Sequence, residues 1–290
     1  MKIYLDGRIL NAAEAVISPF DHGFLYGLGL FETMRSYGGK PALFTEHYKR
    51  LTAAAEEIGI AVTMSEAELT SAVLRTLAAN DLTDAYIRLN LTAGQADLGP
   101  TSDIYETPGW LIFARPLPAF SVQLYQTGKI LQVLNTRRNS PEGSWRFKSH
   151  HYMNNRLAKR EIGSNPLVEG LFLTNEDFIA EGIVSNVFFV NDGVLYTPSL
   201  AAGILPGTRR AFVMELAYKQ GWKVEEGLYR IEDIIRADEV FITNAIQEIV
   251  PIHTIRDVTD GHPVNDYVVG KGTIGPVTAR LLALYRERLR

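Results

Sequence analysis

Phe147-Lys148-Ser149-His150-His151-Tyr152-Met153-Asn154-Asn155 decides how this chain is read, because three further segments come after it in a fixed order. They are Glu181-Gly182-Ile183-Val184-Ser185-Asn186, then Ile204-Leu205-Pro206-Gly207-Thr208-Arg209-Arg210, then Thr243-Asn244-Ala245-Ile246-Gln247-Glu248. The series supplies an amine, a carboxylate, an anion cradle and a polar turn. Those are the parts a protein needs to hold pyridoxal phosphate as a Schiff base, keep its ring nitrogen protonated and bind its phosphate.

Each part also has a plainer reading. A lysine taken at random is a solvated surface residue. Lys148, between Trp145-Arg146-Phe147 and His150-His151-Tyr152, sits where aromatic neighbours can strip water from the amine and favour its nucleophilic form. Glu181 reads as a solvated strand end by itself. With Ile179-Ala180 before it and Val187-Phe188-Phe189-Val190 after it, the carboxylate enters an apolar region and needs a cationic partner such as a protonated pyridine nitrogen. Gly207-Thr208 ahead of a predicted helix serves either as plain helix entry or as an anion site at the positive end of the dipole. Arg50, three residues after His47 on a predicted helix, is a surface cation or a bidentate phosphate clamp. The trio Thr243, Asn244 and Gln247 is a strand-end turn, or a turn whose hydroxyl and backbone amides face the phosphate.

Composition points the same way. With 290 residues, 46% of them hydrophobic and 21% charged, the chain can bury two cores. Zero cysteines exclude disulfides, thiolate metal sites and a Cys nucleophile. A net charge of −4 without long like-charge runs gives no footprint for nucleic acid or an anionic membrane, so a small-molecule substrate is expected. No apolar run approaches spanning length and Met1–Arg8 lacks a signal-peptide layout, so the cytosol is the expected address.

Lys2–Leu5 and Arg8–Leu10 flank Asp6-Gly7, a hairpin signal, and Phe31–Tyr37 and Pro41–Phe44 flank Gly38-Gly39 as a second. His47, Leu51, Ala54 and Ile58 recur at helical spacing, and Ser65 with Glu68 forms a capping box for a helix to about Ala79. Strands are predicted at Ala85–Ala93, Trp110–Arg115, Gly170–Thr174, Ile183–Val190 and Val194–Thr197. Helices are predicted at Tyr152–Ile162, Arg209–Gln220 and Pro276–Leu289. The mixture argues α+β. The proline-rich Pro116-Leu117-Pro118 places the boundary between a domain of residues 1–117 and one of 118–290.

Taken together, Tyr26-Gly27-Leu28-Gly29-Leu30-Phe31-Glu32-Thr33-Met34-Arg35, His47-Tyr48-Lys49-Arg50-Leu51, Lys148 to Tyr152, Glu181 to Asn186 and Thr243 to Glu248 resemble the class IV aminotransferase family, pyridoxal-phosphate fold type IV, over nearly the whole chain. The resemblance implies a two-domain fold like that of D-amino-acid aminotransferases: a smaller N-terminal α/β domain, a larger C-terminal cofactor-binding domain, and the active site between them. It implies a homodimer whose sites are completed by the partner chain. By position, Lys148 is the Schiff-base and catalytic lysine, Glu181 the partner of the pyridine nitrogen, and Tyr152 the contact to the phenolic oxygen. Arg50, Gly207, Thr208, Asn244 and Ala245 form the phosphate site, and Ser185 joins the cofactor-binding set. Ala245 stands where many transaminases carry Thr, so only its backbone amide counts. Tyr26, Phe31 and Arg88 are the expected substrate contacts.

Within the family the wording is most similar to bacterial 4-amino-4-deoxychorismate lyases, which release pyruvate and 4-aminobenzoate for folate synthesis. The loop Gly94-Gln95-Ala96-Asp97-Leu98-Gly99 lacks the Arg-x-His pair with which D-amino-acid aminotransferases grip an α-carboxylate. Branched-chain enzymes read Phe-Glu-Gly where this chain has Phe31-Glu32-Thr33. A transaminase acting on D-amino acids, branched-chain amino acids or (R)-amines is the alternative. Arg35, Arg88, Arg137, Arg138 and Arg146 are the candidate clamps for the substrate's carboxylates.

Overall fold

The computed structural model describes residues 1–99, 101–258 and 264–289. The chain divides into two compact units, Met1–Pro118 with Phe147–His151, and Ala119–Arg146 with Tyr152–Leu289.

In the first unit, strands β1 (Lys2–Leu5), β2 (Arg8–Asn11), β3 (Gly29–Tyr37), β4 (Lys40–Pro41), β5 (Ala85–Thr92) and β6 (Gly109–Pro116) form an antiparallel sheet in the order β2-β1-β6-β5-β3-β4. Helices α1 (His22–Leu25), α2 (Phe44–Glu57) and α3 (Glu66–Ala79) complete it. The Asp6-Gly7 hairpin forms as read: both residues have positive φ, 44° and 88°, and Leu5 pairs with Arg8. The Ser65–Glu68 capping box forms with both of its reciprocal bonds. The second hairpin is shorter than its sequence suggests. After Ser36↔Pro41 the ladder stops, because Leu43 turns into the left-handed region at φ 54° and α2 starts at Phe44.

Alternation gives the sheet two different faces. Leu30, Met34, Ile87, Leu89, Leu91 and Ile112 are fully buried, with α2 packed on β3 and α3 on β1 and β6. Phe31, Thr33, Arg35, Arg88 and Asn90 lie on the opposite face.

In the second unit, strands β7 (Lys129–Val133), β8 (Val168–Leu173), β9 (Ile179–Gly182), β10 (Asn186–Asn191), β11 (Val194–Pro198), β12 (Val224–Gly227), β13 (Glu239–Asn244) and β14 (Glu248–Asp257) form a mixed sheet in the order β12-β11-β10-β13-β14-β7-β8-β9, and β15 (Asn265–Val268) pairs with β14. Its helices are α4 (Val122–Gln126), α5 (Met153–Ile162), α6 (Thr208–Lys219), α7 (Ile231–Ile235) and α8 (Pro276–Leu289). One face buries Leu131, Val133, Leu171, Leu173, Val187, Ile242, Val250 and Ile252 in a continuous core. The strand expected from Ile183 to Val190 begins only at Asn186, as β10; residues 183–185 lie between it and β9, a strand over Ile179–Gly182 that the sequence reading did not give. Among the described residues no helix is long and apolar enough to cross a membrane.

A boundary near residue 117 assigns Lys148 to the second domain, but the five residues Phe147–His151 pack with the first unit. The reason lies in the edge of β3. Two-residue β4 pairs only the far end of that strand, and residues 148–150 add along its near end: Phe31 N–H donates to Lys148 C=O at 2.8 Å, His150 N–H donates to Gly29 C=O at 2.9 Å, and Leu30 bridges Ser149.

Candidate active site

Lys148 and His150, two residues apart on this added strand, both reach Phe31. The Lys148 Nζ lies 4.5 Å from the ring centroid and the His150 imidazole stacks at 6.2 Å. The Arg88 guanidinium covers the same ring at 3.7 Å and donates from Nε to Asn90 Oδ1 at 3.0 Å. One aromatic ring thus gathers two cations and an imidazole on the sheet face turned away from α2 and α3. Burial, followed by the Arg88 charge, pushes the His150 imidazole down to about 4, so it is neutral at pH 7. Its Nε2 is buried with no hydrogen-bond partner among the described residues. Tyr26 is half-exposed, its hydroxyl accepting from the Gly99 N–H at 3.0 Å and its ring edge-on to His22.

The helix face of β3 carries one charge, Glu32, between Leu30 and Met34. Its carboxylate accepts from Arg50 Nε at 2.8 Å and Nη2 at 2.6 Å, and sits 2.6 Å from His47 Nδ1. Burial raises the Glu32 carboxyl, but Arg50 and His47 together outweigh it and bring it down to about 2. Arg50 is therefore a buried partner of Glu32 rather than a surface cation. The signal was present in the sequence: a glutamate at an apolar position of a strand requires a buried cation, and the i, i+3 pair on α2 supplies one.

In the second unit Glu181 is the penultimate residue of β9, 5% exposed, and its carboxylate is met by donors. Arg138 Nε reaches Oε1 at 2.9 Å and Arg146 Nε lies 3.7 Å from it, while Leu205 N–H reaches Oε2 at 3.0 Å and Asn186 Nδ2 at 3.5 Å. Burial, then the neighbouring Arg138, lowers Arg146 to about 10. Arg138 and Arg146 were candidate substrate clamps; instead Arg138 serves Glu181, Asn154 and Asn155, and Arg146 Nε also donates to the Gly203 carbonyl. Arg137 pairs with Asp177. Arg35 stacks on Tyr37 at 4.3 Å.

Gly207 is the N-cap of the twelve-residue α6, with no side-chain cap bond. A Cβ there would fall 1.9 Å from Asn186 Oδ1, so only glycine fits between that amide and the first turn. Thr208 follows, buried, as the first helical residue. At the Thr243–Glu248 turn the Thr243 hydroxyl donates to Glu248 C=O at 2.8 Å, and Asn244 Oδ1 accepts from the amides of Ile246 at 3.0 Å and Gln247 at 2.8 Å. These side chains shape the turn rather than project from it. The Ser185 hydroxyl proton goes to Glu169 Oε1 at 3.2 Å. Tyr152, half-exposed, is the N-cap residue of α5.

A family model for amino-transferase class IV matches residues 29–255. The chain belongs to the class IV aminotransferases. This class IV member is 43% identical to the aminodeoxychorismate lyase of Bacillus subtilis (strain 168), over 99% of this chain and 94% of that one. Its fold is that of the solved branched-chain amino acid aminotransferase of Escherichia coli, with TM-score 0.86 and 29% identity over 99% of this chain and 94% of that one. The branched-chain enzyme of Thermoproteus uzoniensis, solved with norvaline, matches with TM-score 0.84 and 29% identity over 100% and 94%. A further branched-chain enzyme, solved with pyridoxamine 5'-phosphate, matches with TM-score 0.86 and 28% identity over 99% and 93%. The class IV aminotransferase fold is α+β with sheets dominating, as the sequence led us to expect.

Proposed function

We propose that this protein is a pyridoxal-phosphate enzyme that acts as a 4-amino-4-deoxychorismate lyase, releasing pyruvate and 4-aminobenzoate. The observation that carries the reading is the 43% identity to a lyase across the full chain, joined to a Lys148 amine held on Phe31 beside Arg88. The donor set suits the cofactor. A helix start at a glycine that admits no Cβ and brings no side-chain cap fits a phosphate, a buried carboxylate fits a ring cation, and the orphaned Nε2 of His150 marks a polar place beside the amine.

Lys148 would hold the cofactor aldehyde, Glu181 its ring nitrogen, Tyr152 its phenolic oxygen, and Gly207, Thr208, Ala245 N–H and the Glu32-anchored Arg50 its phosphate. Ser185 and Asn244 support that set through Glu169 and the turn amides. Bound pyridoxal phosphate supplies an electron-accepting ring. Lys148 Nζ takes the proton from the substrate's amine-bearing carbon and returns one to the departing enolpyruvyl group. Glu181, framed by two guanidiniums and an amide, stays fixed where positive charge is needed opposite. Phe31 holds the Lys148 amine and the Arg88 guanidinium on one ring, and Arg88 orients a substrate carboxylate beside the amine.

The runner-up is a branched-chain or other transaminase, favoured by the likeness to the Escherichia coli enzyme. A transaminase must hold an α-carboxylate in both half-reactions, and Gly94–Gly99 supplies no cation. Loss of such a charge-assisted bond costs about 1.5–3 kcal/mol, roughly ten- to hundredfold in grip. We therefore expect kcat/KM for pyruvate release from aminodeoxychorismate to exceed that for D-alanine or L-valine with 2-oxoglutarate on the same preparation. A better rate with either amino acid would make the protein an aminotransferase.

We also place the protein as a homodimer. Val16, Ile17, Phe20, Phe24, Leu98 and Ile104 of the first unit are exposed, four of them between positions 16 and 24, and these are the apolar side chains a second copy would cover. Size-exclusion with light scattering should give twice the chain mass at micromolar concentration; a monomer there removes this assignment.

A further inference from the structure

Lys129 and Glu169 are each 5% exposed; Lys129 holds no place in the chemistry above, and Glu169 enters it only as the acceptor for the Ser185 hydroxyl. They lie on adjacent parallel strands, β7 and β8, where Leu131 is in register with Glu169. By alternation Lys129 shares a face with Leu131 and Val133, and Glu169 shares one with Leu171 and Leu173, all four apolar residues belonging to the same core. Two ionisable groups thus occupy the end of an apolar row, where hydrophobic residues would stabilise the fold as well or better.

What they touch accounts for them. Lys129 Nζ donates to Gln247 Oε1 at 3.0 Å, and the same oxygen accepts from Asn244 Nδ2 at 3.3 Å, so the lysine pins the Thr243–Glu248 turn. Glu169 Oε1 accepts from the Ser185 hydroxyl and the Val184 N–H, both at 3.2 Å, and so pins the loop that comes after Glu181. A Cβ on Gly182 would fall 2.9 Å from that oxygen and 2.1 Å from Ser185 Oγ, so the loop is fitted closely to the carboxylate. We propose that Lys129 and Glu169 are positioning residues, a buried charge pair through which the turn at the cofactor's phosphate and the loop beside its ring nitrogen are held in one arrangement; this rests on the cofactor reading of those two motifs. Each charge answers the other. Burial lowers the Lys129 amine while Glu169 raises it, and burial raises the Glu169 carboxyl while Lys129, the Val184 and Ser185 bonds and, more weakly, Lys159 of α5 lower it; Lys159 also lowers Lys129.

The test is the dissociation constant of pyridoxal phosphate, read from its visible absorbance on the full-length protein, for Lys129→Met, Glu169→Gln, the double variant and Gln247→Leu. Lys129→Met and Gln247→Leu should each weaken binding about tenfold by breaking the same bond. Glu169→Gln keeps an acceptor for Ser185 and Val184 and should cost about threefold. The double variant should bind no more weakly than Lys129→Met alone, because a pair that acts as a unit is lost once. If Lys129→Met fails to fold, Gln247→Leu carries the same test with both buried charges in place. Binding by a wild type that the variants match within twofold, or single effects that multiply in the double variant, overturns the inference alone. A wild type that takes up no cofactor overturns the cofactor reading and the inference together.

Discussion

Lys148→Ala is expected to abolish pyruvate release, by about ten-thousandfold or more, while leaving the fold in place. One amine is asked to hold the cofactor, remove a proton and return one, and general acid–base transfer alone is worth about 10²–10⁴ in rate. The structural cost is small, because the contacts that bind this strand to β3 are made by its backbone. Phe31 N–H donates to the Lys148 carbonyl and His150 N–H to Gly29, and neither bond involves the side chain that is removed. Alanine does lose the ammonium over Phe31, a contact worth about 0.5–1 kcal/mol at a partly exposed site. The measurement is coupled pyruvate release beside a urea titration and a borohydride-sensitive absorbance band. Activity within tenfold of wild type would sink the assignment of Lys148. A collapsed urea midpoint would mean that the side chain, not only the backbone, holds this segment to its sheet.

The parts of the fold carried by local chemistry were legible in the sequence. Asp6-Gly7 demands two positive φ values and the Ser65–Glu68 box satisfies its own helix end, so both were readable without tertiary knowledge. What depended on distant pairing was not. Residues 147–151 carry no signal that they complete the edge of β3, more than a hundred positions earlier, because a ladder partner leaves no mark on a strand's own alternation. The late start of β10 at Asn186 was hidden for a related reason: Ile183-Val184 reads as part of the strand that continues to Val190, yet the Gly182 amide bonds to the Ser185 carbonyl and Glu169 draws residues 183–185 inward. Among the candidate arginines, residue type announced a cation but not its partner. Arg50, Arg137, Arg138 and Arg146 are held by carboxylates, and only the structure separates them from Arg88, whose guanidinium lies on the Phe31 ring and meets the neutral Asn90 amide.

Glu181→Gln is expected to lower kcat by about a hundredfold or more, the cost of removing one fixed group aimed at a developing charge. The change is more than the loss of a charge. The partners of this carboxylate are donors, with Arg138 and Arg146 at Oε1 and Leu205 N–H and Asn186 at Oε2. A glutamine offers one acceptor oxygen and one NH₂, so in either orientation its NH₂ faces a donor and one set of bonds is lost. Two buried guanidiniums are also left without their carboxylate. A stability loss of about 1–3 kcal/mol should accompany the kinetic one. Glu181→Asp, which keeps the charge on a shorter stem, separates the two effects: it should recover part of kcat even where it does not recover the urea midpoint, since a charge acts at a distance while the bonds at Oε1 and Oε2 need the full reach of a glutamate. The comparison is kcat at saturating cofactor for both variants, with cofactor dissociation measured separately. If Glu181→Gln changes kcat by less than a few-fold, the carboxylate is a structural partner of Arg138 and Arg146 and the ring nitrogen is served by another group. If aspartate rescues stability but not kcat, the position of the charge matters more than its presence, and the Leu205 amide that fixes Oε2 becomes the contact to examine next.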